Sequence, residues 1–365
     1  MFIKNLSLIQ FRSYQNLDLN LNKGINVFLG DNGEGKTNII ESIIYLSLLS
    51  SHRVATDLPL IKLDNKNAYI RAKIEDDQRE HLIELEINPN KANRAKINQQ
   101  PVRSQREILG LVQTTSFSPE DLDLVRGDPS TRRRYIDHLL IQESPRLSGV
   151  ITDYERALKQ RNSLLKSRAP ISSLQPWDKH LIEFASELIA SRIKLLNTLA
   201  PYLLKAYKNI SNKKDFTVFY KSNLENLTED KESNKLILSE KLELVREQER
   251  DRGITLIGPH RDDLNLLLGG TPVKGYASHG ESWSVALALK LASYLLLKDQ
   301  GSNPILILDD VFSELDLDRR EELVELSKSS EQTLITVAVA EDLPKKLEIQ
   351  NTYQVKNSIV KEVSL

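Results

Sequence analysis

The 365-residue chain contains no cysteine, a single methionine and few aromatic residues, which make up 6% of it. The lack of cysteine excludes disulfides, zinc ribbons, cysteine-ligated iron–sulfur clusters and thiol nucleophiles. The six histidines show no spacing that is typical of a zinc site. The composition therefore fits a reducing compartment and points away from metal–thiolate chemistry.

Long apolar runs are also missing. A membrane-spanning helix needs roughly 18 uninterrupted apolar residues, and the best candidate, residues 285–297, is interrupted by Lys290, Ser293 and Tyr294. The beginning of the sequence, with Lys4 and Arg12, lacks the apolar core of a signal peptide. We therefore expect a soluble, cytoplasmic protein without a membrane partner.

Neither sign of charge is in excess. Fifty basic residues oppose 51 acidic ones, for a formal charge of −1, which excludes a uniformly basic DNA-coating protein. The net charge is compatible with a local basic surface that binds nucleic acid, because electrostatic steering depends on where the charges lie. Hydrophobic residues make up 40% of the chain, which is enough to form buried cores. At about 150 residues per domain, we expect two or three domains.

Two strand-rich ends flank a helical middle. Apolar periodicity predicts strands at 2–11, 17–21, 24–29, 68–74, 81–88, 94–98, 253–257, 263–268, 305–310 and 333–338, and helices at 36–49, 145–167, 178–208, 231–250, 280–297 and 318–329. The pattern indicates an α/β fold divided into residues 1–128, 129–250 and 251–365. If the two motifs described next form one site, both ends fold together and the middle is an insertion.

The first motif is a glycine-rich loop between a predicted strand and a predicted helix. It matches G-x-x-x-x-G-K-[ST] and consists of Gly30, Asp31, Asn32, Gly33, Glu34, Gly35, Lys36 and Thr37. Glycines let successive backbone N–H groups face a phosphate chain, and the helix adds its N-terminal donors. Lys36 would reach the β- and γ-phosphates and Thr37 would place its hydroxyl on Mg²⁺. A simple strand–helix turn is the alternative, but the pattern and its context favour nucleotide binding.

The second motif is the apolar run 305–308 followed by Asp309 and Asp310. Ligands of open α/β sheets bind at the carboxyl ends of the strands, so Asp309 would hold Mg²⁺ directly or through water. Asp310 would orient or deprotonate the attacking water. By itself the motif is also compatible with a buried strand that ends at a charged loop.

Taken together, these motifs resemble those of the ABC/SMC-type ATPases, and further stretches resemble the RecF family of recombination mediators. The resemblance covers essentially the whole chain and includes residues 8–14, 117–122, 127–137, 258–263, 277–280 and 313–316. It implies an ABC/SMC-type P-loop ATPase head, built from 1–128 and 251–365, with a mostly helical arm at 129–250.

The resemblance also assigns a role to the segment 277–281. There it implies the ABC signature, in which Ser278 and Gly280 contact the γ-phosphate held by a partner subunit, so that two chains enclose two ATP molecules. A helix N-terminus is a ready anion site. The alternative is an ordinary helix cap, with Ser278 before the helix and Glu281 in its first turn.

Three departures from the common ABC pattern predict slow hydrolysis. Glu281 stands where many signatures have glutamine, Asp310 replaces the usual glutamate base, and Thr336 lies in a stretch without the switch histidine. We therefore expect a weak ATPase that works as a timer rather than as a motor.

Basic residues of the middle segment are candidates for DNA contact. They are Arg132, Arg133 and Arg134 at a helix start and Arg156 and Lys159 on the following helix. A charge run is usually a solvated face, and cations at a helix start need a compensating partner such as Asp137 or a phosphate. With few aromatics nearby, backbone contact with duplex is expected rather than base stacking.

The resemblance implies a DNA-repair ATPase that forms an ATP-dependent homodimer on DNA at single-strand gaps and single-strand/double-strand junctions. Its implied partners are RecR and, indirectly, RecO and RecA, with a role in replication restart and SOS induction. Two alternatives remain: a transporter-type ABC subunit, which the helical insertion disfavours, and a monomeric P-loop kinase or signalling module, which would leave residues 277–280 without a role.

Overall fold

A computed structural model describes residues 1–77, 79–211 and 214–363. The chain divides into two compact units. Unit 1 comprises Met1–Leu122, Ala206–Asn212 and Trp283–Leu365, and unit 2 comprises Asp123–Lys205 and Lys213–Ser282. Residues 251–282 thus group with the middle segment, whereas the sequence-based bounds assign them to the ATPase head; those domain bounds stay a prediction.

Strands and helices alternate irregularly along the chain. The strands are β1 Phe2–Phe11, β2 Tyr14–Asn20, β3 Gly24–Leu29, β4 Ala68–Asp76, β5 Arg79–Ile87, β6 Arg94–Ile97, β7 Gln100–Pro101, β8 Thr114–Phe117, β9 Phe216–Lys221, β10 Asp263–Leu268, β11 Thr271–Pro272, β12 Ile305–Asp309, β13 Gln332–Val337, β14 Ile349–Lys356 and β15 Ile359–Val363. The helices are α1 Lys36–Leu48, α2 Asp123–Arg126, α3 Pro129–Glu143, α4 Leu147–Lys166, α5 Ile171–Ile210, α6 Lys231–Arg252, α7 His279–Asp299 and α8 Leu317–Ser329. This mixture confirms the predicted α/β class.

Unit 1 contains two six-stranded sheets. One is antiparallel, in the order β2-β1-β4-β5-β6-β7, and the other has the order β15-β14-β3-β13-β12-β8. In the second sheet the strands from β14 to β8 are parallel, and only β15 pairs antiparallel. Strand β12 is buried along its whole length, as expected for a parallel strand covered on both faces. A common core joins the antiparallel sheet, α1 and this second sheet.

Unit 2 contains the three-stranded sheet β11-β10-β9 and most of the long helices. Buried ion pairs hold it together: the Arg161 side chain, fully buried, reaches Asp178 (Nε–Oδ1 2.7 Å) and Glu249 (Nη2–Oε2 2.6 Å). Such a buried cation requires this pairing, because an unpaired charge in the interior is strongly destabilising.

The strand predicted at 253–257 is wrong. Gly253 ends α6 in the left-handed conformation (φ 66°), which favours glycine. The next backbone donors bind helix side chains: Thr255 N–H donates to Asn162 Oδ1 (2.8 Å) and Leu256 N–H to Glu249 Oε1 (2.7 Å). Because these backbone donors already bind side chains, the segment does not pair with a neighbouring strand.

In the part of the chain that the structure describes, every helix is too short or too polar to cross a membrane.

Candidate functional site

The order of the parallel strands brings the two phosphate-related motifs of unit 1 together. Strand β13 lies between β3 and β12, and its Thr336 is in register with Phe28 on one side and Asp309 on the other. The loop that follows β3 and the acidic end of β12 therefore meet at the same carboxyl edge of the sheet. The Thr37 hydroxyl approaches Asp309, with 3.4 Å between Oγ1 and Oδ1.

The loop from Gly30 to Thr37 has the shape of an anion cradle. Gly33 and Gly35 adopt positive φ angles of 89° and 113°, and a Cβ atom at Gly35 would lie 2.9 Å from the Tyr14 hydroxyl oxygen. No side chain caps the N-terminus of α1, and its first turn contains no acid. Uncapped helix donors beside a glycine loop are what a phosphate group requires.

Lys36 lies inside this loop. Its ammonium donates to the carbonyl oxygens of Gly30 (2.6 Å) and Asp31 (3.2 Å), and the residue is 3% exposed. The cation is therefore buried next to the cradle and has only neutral acceptors. A phosphate would give it the counter-charge that these carbonyl oxygens do not carry.

The tip of the loop is fixed by the hairpin of β14 and β15. The Glu34 carboxylate accepts from the backbone N–H of Asn357, and the Glu34 carbonyl oxygen accepts from Ser358 N–H (3.1 Å). At the other end of the loop, a Cβ atom at Gly30 would lie 2.2 Å from the Val355 carbonyl oxygen. Sequence reasoning assigned Glu34 to the nucleotide, but its side chain binds the hairpin, which sequence patterns did not reveal.

Asp309 is a buried carboxylate with few favourable neighbours. It is 7% exposed, and burial raises its pKa to about 6. A hydrogen bond from Thr336 Oγ1 (2.5 Å) partly offsets this effect, whereas the nearby charges of Asp310 and Glu120 add to it. A bound divalent cation would offset both the burial of the charge and the repulsion from these two carboxylates.

Asp310 occupies a strained position directly after the strand. Its φ of 49° lies in the left-handed region, which costs energy for a residue other than glycine. Its N–H donates to the carbonyl oxygen (3.2 Å) and the hydroxyl (3.0 Å) of Thr336. Burial raises the pKa of Asp310, and the charge of Lys36 opposes that rise.

Two functional candidates escaped sequence reasoning. Thr336, noted only as the place of a missing histidine, holds both Asp309 and Asp310. Glu120 acts on both carboxylates through its charge, and its neighbour Asp121 is anchored by Lys290 (Nζ–Oδ1 2.9 Å). The only available signal was that Glu120 belongs to a stretch that carries the family resemblance.

The described residues contain no group of three or more His, Cys, Asp or Glu side chains that could hold a metal ion. The residues present nevertheless fit Mg²⁺. That ion is usually bound by one or two carboxylates, with substrate phosphates and water completing its shell. Asp309 and the Thr37 hydroxyl supply such a partial set of oxygen ligands.

Unit 2 contains the predicted signature segment. Ser278 and Glu281 form a reciprocal helix cap: Glu281 N–H donates to Ser278 Oγ (3.2 Å), and Ser278 N–H donates to Glu281 Oε2 (2.9 Å). Lys214 donates to Glu281 Oε1 (2.7 Å), and this bond together with the cap lowers the pKa of Glu281 to about 2. The helix-cap alternative therefore describes the local geometry, with Gly280 in the first turn of α7 and the added charge neutralised by Lys214.

The predicted DNA-contacting residues have different environments. Arg132 is 5% exposed and binds Asp263 through two hydrogen bonds (2.7 and 2.9 Å). Arg133, half-buried, donates to the Asp262 carbonyl oxygen (2.8 Å). Both arginines are therefore engaged within unit 2. The suggested Asp137 forms its ion pair with Arg192 and acts on Arg133 through its charge.

The remaining basic candidates, Arg134, Arg156 and Lys159, are exposed. Arg134 lies on α3, and the other two lie one turn apart on α4. Neighbours three residues apart share a helix face, so Arg156 and Lys159 present two cations to the same side.

Comparisons with known proteins show the family to which the chain belongs. The family described as RecF/RecN/SMC N terminal domain matches residues 2–361. A protein of Streptomyces avermitilis named DNA replication and repair protein RecF is 47% identical over 355 residues, which cover 94% of this chain and 95% of that protein.

Two solved structures are also similar over nearly their full lengths. One, described as the recombination mediator protein RecF-ATPrS in the RecFOR pathway, has a TM-score of 0.90 at 28% identity and covers 100% of this chain and 98% of its own. The other, described as RecF-ATP in the same pathway, has a TM-score of 0.88 at 28% identity and covers 99% of each chain. Both the ABC/SMC-type head fold and the predicted resemblance are thereby confirmed: the chain belongs to the RecF family of DNA replication and repair proteins.

Proposed function

We propose that the chain is an ATP-dependent DNA-binding protein of recombinational repair and replication restart. One observation carries this proposal. At the carboxyl edge of β3, β13 and β12, the glycine loop with the uncapped N-terminus of α1 lies next to Lys36 and the buried Asp309. The relatives described with ATP and ATPrS support ATP as the ligand.

The residues of unit 1 have separate tasks in this proposal. Backbone N–H groups of the loop and Lys36 bind the phosphates. Thr37 and Asp309 hold Mg²⁺, which supplies charge stabilisation at the phosphates when it is bound. Asp310 orients and deprotonates the attacking water. Because the aspartate side chain is short and its backbone is held by Thr336, we propose that hydrolysis is slow.

Unit 2 supplies the contact with a second subunit. We propose that Ser278 and Gly280, at the start of α7, bind the γ-phosphate held by the partner of a homodimer. The Ser278 oxygen accepts one hydrogen bond within its own chain, and its hydroxyl hydrogen remains able to donate to a phosphate. Lys214 neutralises Glu281, which removes the main electrostatic objection to an anion at this position.

The DNA contact is proposed for Arg134, Arg156 and Lys159, which are exposed cations of unit 2. ATP would favour the dimer by its differential affinity for the dimeric state, and the dimer would hold DNA at single-strand gaps or single-strand/double-strand junctions. The RecFOR pathway named for the similar structures supports RecR and RecO as partners, and we propose RecA loading as the outcome. Hydrolysis would then release the DNA.

Sedimentation velocity tests this function directly. The protein is run with and without ATP and Mg²⁺, in the presence of a labelled gapped duplex. We expect ATP to convert monomer to dimer and the DNA to move with the dimer; Asp310→Asn should trap that dimer, and Lys36→Ala should prevent it. A protein that binds ATP and remains monomeric would contradict the clamp and favour the monomeric nucleotide-binding alternative.

A further inference from the structure

A cavity away from the phosphate loop opens on the antiparallel sheet of unit 1. Its volume is about 760 Å³, which lies within the range of small-molecule sites. Residues of β4, β5 and β6 line it, together with residues 91–93 between β5 and β6 and residues of the segment 101–105. None of the lining residues belongs to the phosphate loop or to the acidic end of β12. Neither the proposed ATPase nor the proposed DNA contacts use this cavity.

The rim of the cavity carries unpaired positive charge. Its lining includes five basic side chains and two carboxylates. Four of the basic side chains are exposed, and no other residue in the described ranges forms a hydrogen bond or ion pair with their charged groups: Lys91, Arg94, Lys96 and Arg103.

The strand pairing explains why these cations are free. Lys96 and Arg94 of β6 lie opposite Glu84 and Glu86 of β5, an arrangement that normally gives cross-strand ion pairs. Glu84 instead binds Arg71 on β4 (Oε1–Nε 3.0 Å), and Glu86 accepts from Asn67 Nδ2 (2.6 Å). The acids are engaged on one side of β5, and the cations on the other side remain available to an anion.

The lining of the cavity also includes two residues with acceptor oxygens, Glu86 and Gln105. The Oε1 atom of Gln105 is buried and has no hydrogen-bond partner among the described residues. A buried acceptor without a partner costs about 1–3 kcal/mol, so a rotation of the half-buried Gln105 side chain that brings Oε1 to a ligand N–H group would be favoured. The Glu86 carboxylate, whose Oε1 atom accepts from Asn67 Nδ2 (2.6 Å) and from the Tyr69 hydroxyl (3.5 Å), has further lone pairs for a ligand donor. Tyr69, half-buried, contributes an aromatic ring to the same lining.

We propose that this cavity binds a nucleoside phosphate. The rim cations Arg94 and Arg103 take the phosphate, while the base donates N–H groups to Gln105 and Glu86 and stacks on Tyr69. A nucleotide combines anion, planar ring and N–H donors in one compact molecule, which an acidic peptide does not. The ligand is either a free nucleotide or a nucleotide of a single-stranded nucleic acid, because both present the same groups.

Calorimetric titration of the full chain with guanosine 5′-monophosphate tests the proposal, because this ligand lacks the β- and γ-phosphates that the loop at Gly30–Thr37 is built to hold. We expect saturable binding, weakened about tenfold or more by Arg94→Ala or Arg103→Ala, since each removes a charge-assisted hydrogen bond. Arg79→Ala is the matched control: this arginine is exposed on β5 and outside the cavity, so binding should be unchanged.

Base selectivity provides a readout that a purely structural role would not change. The guanine base offers an amino group and a ring N–H, whereas uracil offers only a ring N–H. The wild type should therefore prefer guanosine over uridine 5′-monophosphate, and Gln105→Leu should reduce that preference while the phosphate contacts persist. Thermal unfolding of each variant without ligand shows whether the fold is intact.

The same variants are then titrated with a short fluorescent single-stranded oligonucleotide. Binding of the oligonucleotide that depends on Arg94 and Arg103, without binding of the free nucleotide, would identify nucleic acid as the source of the ligand. The proposal is overturned if neither ligand binds, if the Arg94→Ala/Arg103→Ala double variant binds both normally, or if only an acidic peptide binds in an Arg94-dependent manner.

Discussion

Replacing Asp309 by asparagine should stabilise the protein in the absence of ligand, although it removes a proposed metal ligand. Burial raises the pKa of this carboxyl from 3.8 to about 6. A difference of about two pKa units corresponds to roughly 3 kcal/mol by which ionised Asp309 disfavours the folded state. Asparagine has nearly the same shape, keeps an oxygen for the Thr336 and Thr37 hydroxyls, and carries no charge.

The direction of the pKa shift of Asp309 determines how the stability of the protein depends on pH. Because the folded-state pKa of Asp309 lies above the unfolded value, the wild type loses stability as pH rises from about 4 to about 6. Asp309→Asn does not titrate there, so its advantage should be small near pH 4.5 and largest above pH 7. We expect about 1–3 kcal/mol at pH 8, since water entry in the wild type would reduce the upper value.

Thermal unfolding at pH 5 to 8 measures this difference. For a unit of some 200 residues, each kcal/mol shifts Tm by about 2–4 °C, so Asp309→Asn should unfold several degrees higher than the wild type at pH 8. Asp64→Asn, an exposed control, should change stability by less than about 0.5 kcal/mol. A variant less stable than the wild type at pH 8 would refute the desolvation argument.

Three further predictions concern the loop, the signature segment and the basic face. Glu34→Ala, which frees the loop tip from the hairpin, should weaken ATP binding about tenfold in a filter assay, whereas Glu34→Gln should largely retain it. Ser278→Arg should leave ATP affinity unchanged but abolish the ATP-dependent dimer in sedimentation; normal dimerisation would exclude the trans contact. Arg156→Ala with Lys159→Ala should lower the slope of log affinity for duplex against log salt by about two, and an unchanged slope would place the DNA elsewhere.

The sequence was sufficient to predict that the two motifs of the candidate site lie together, because each depends on a local pattern. The glycine loop and the acidic strand end are each a short run of residues, and their meeting follows from parallel strands that share a carboxyl edge. The role of Thr336 did not follow, because it requires that β13 insert between β3 and β12, and strand order is a non-local property.

The basic residues also show that sequence alone does not predict which side chains are exposed. Arg132 and Arg134 are close in sequence and have identical side chains, yet one binds Asp263 inside unit 2 and the other is exposed. Helical phase decides between them, and the partner of Arg132 lies 131 positions away along the chain. A run of charges therefore indicates a surface helix without indicating which charges reach the surface.

The same electrostatics predict how nucleotide and metal depend on each other. Lys36 hydrogen-bonds only to neutral acceptors until phosphate binds, and Asp309 lacks a counter-charge until a cation binds. ATP alone should therefore raise Tm less than ATP with Mg²⁺, and the additional effect of Mg²⁺ should shrink between pH 8 and pH 5.5, because a proton on Asp309 competes with the metal. In Asp309→Asn that additional effect should be small at every pH. An equal Mg²⁺ effect in the variant and the wild type would mean that the cation is held by the phosphates and Thr37 alone, and that the buried charge at the end of β12 serves some other group.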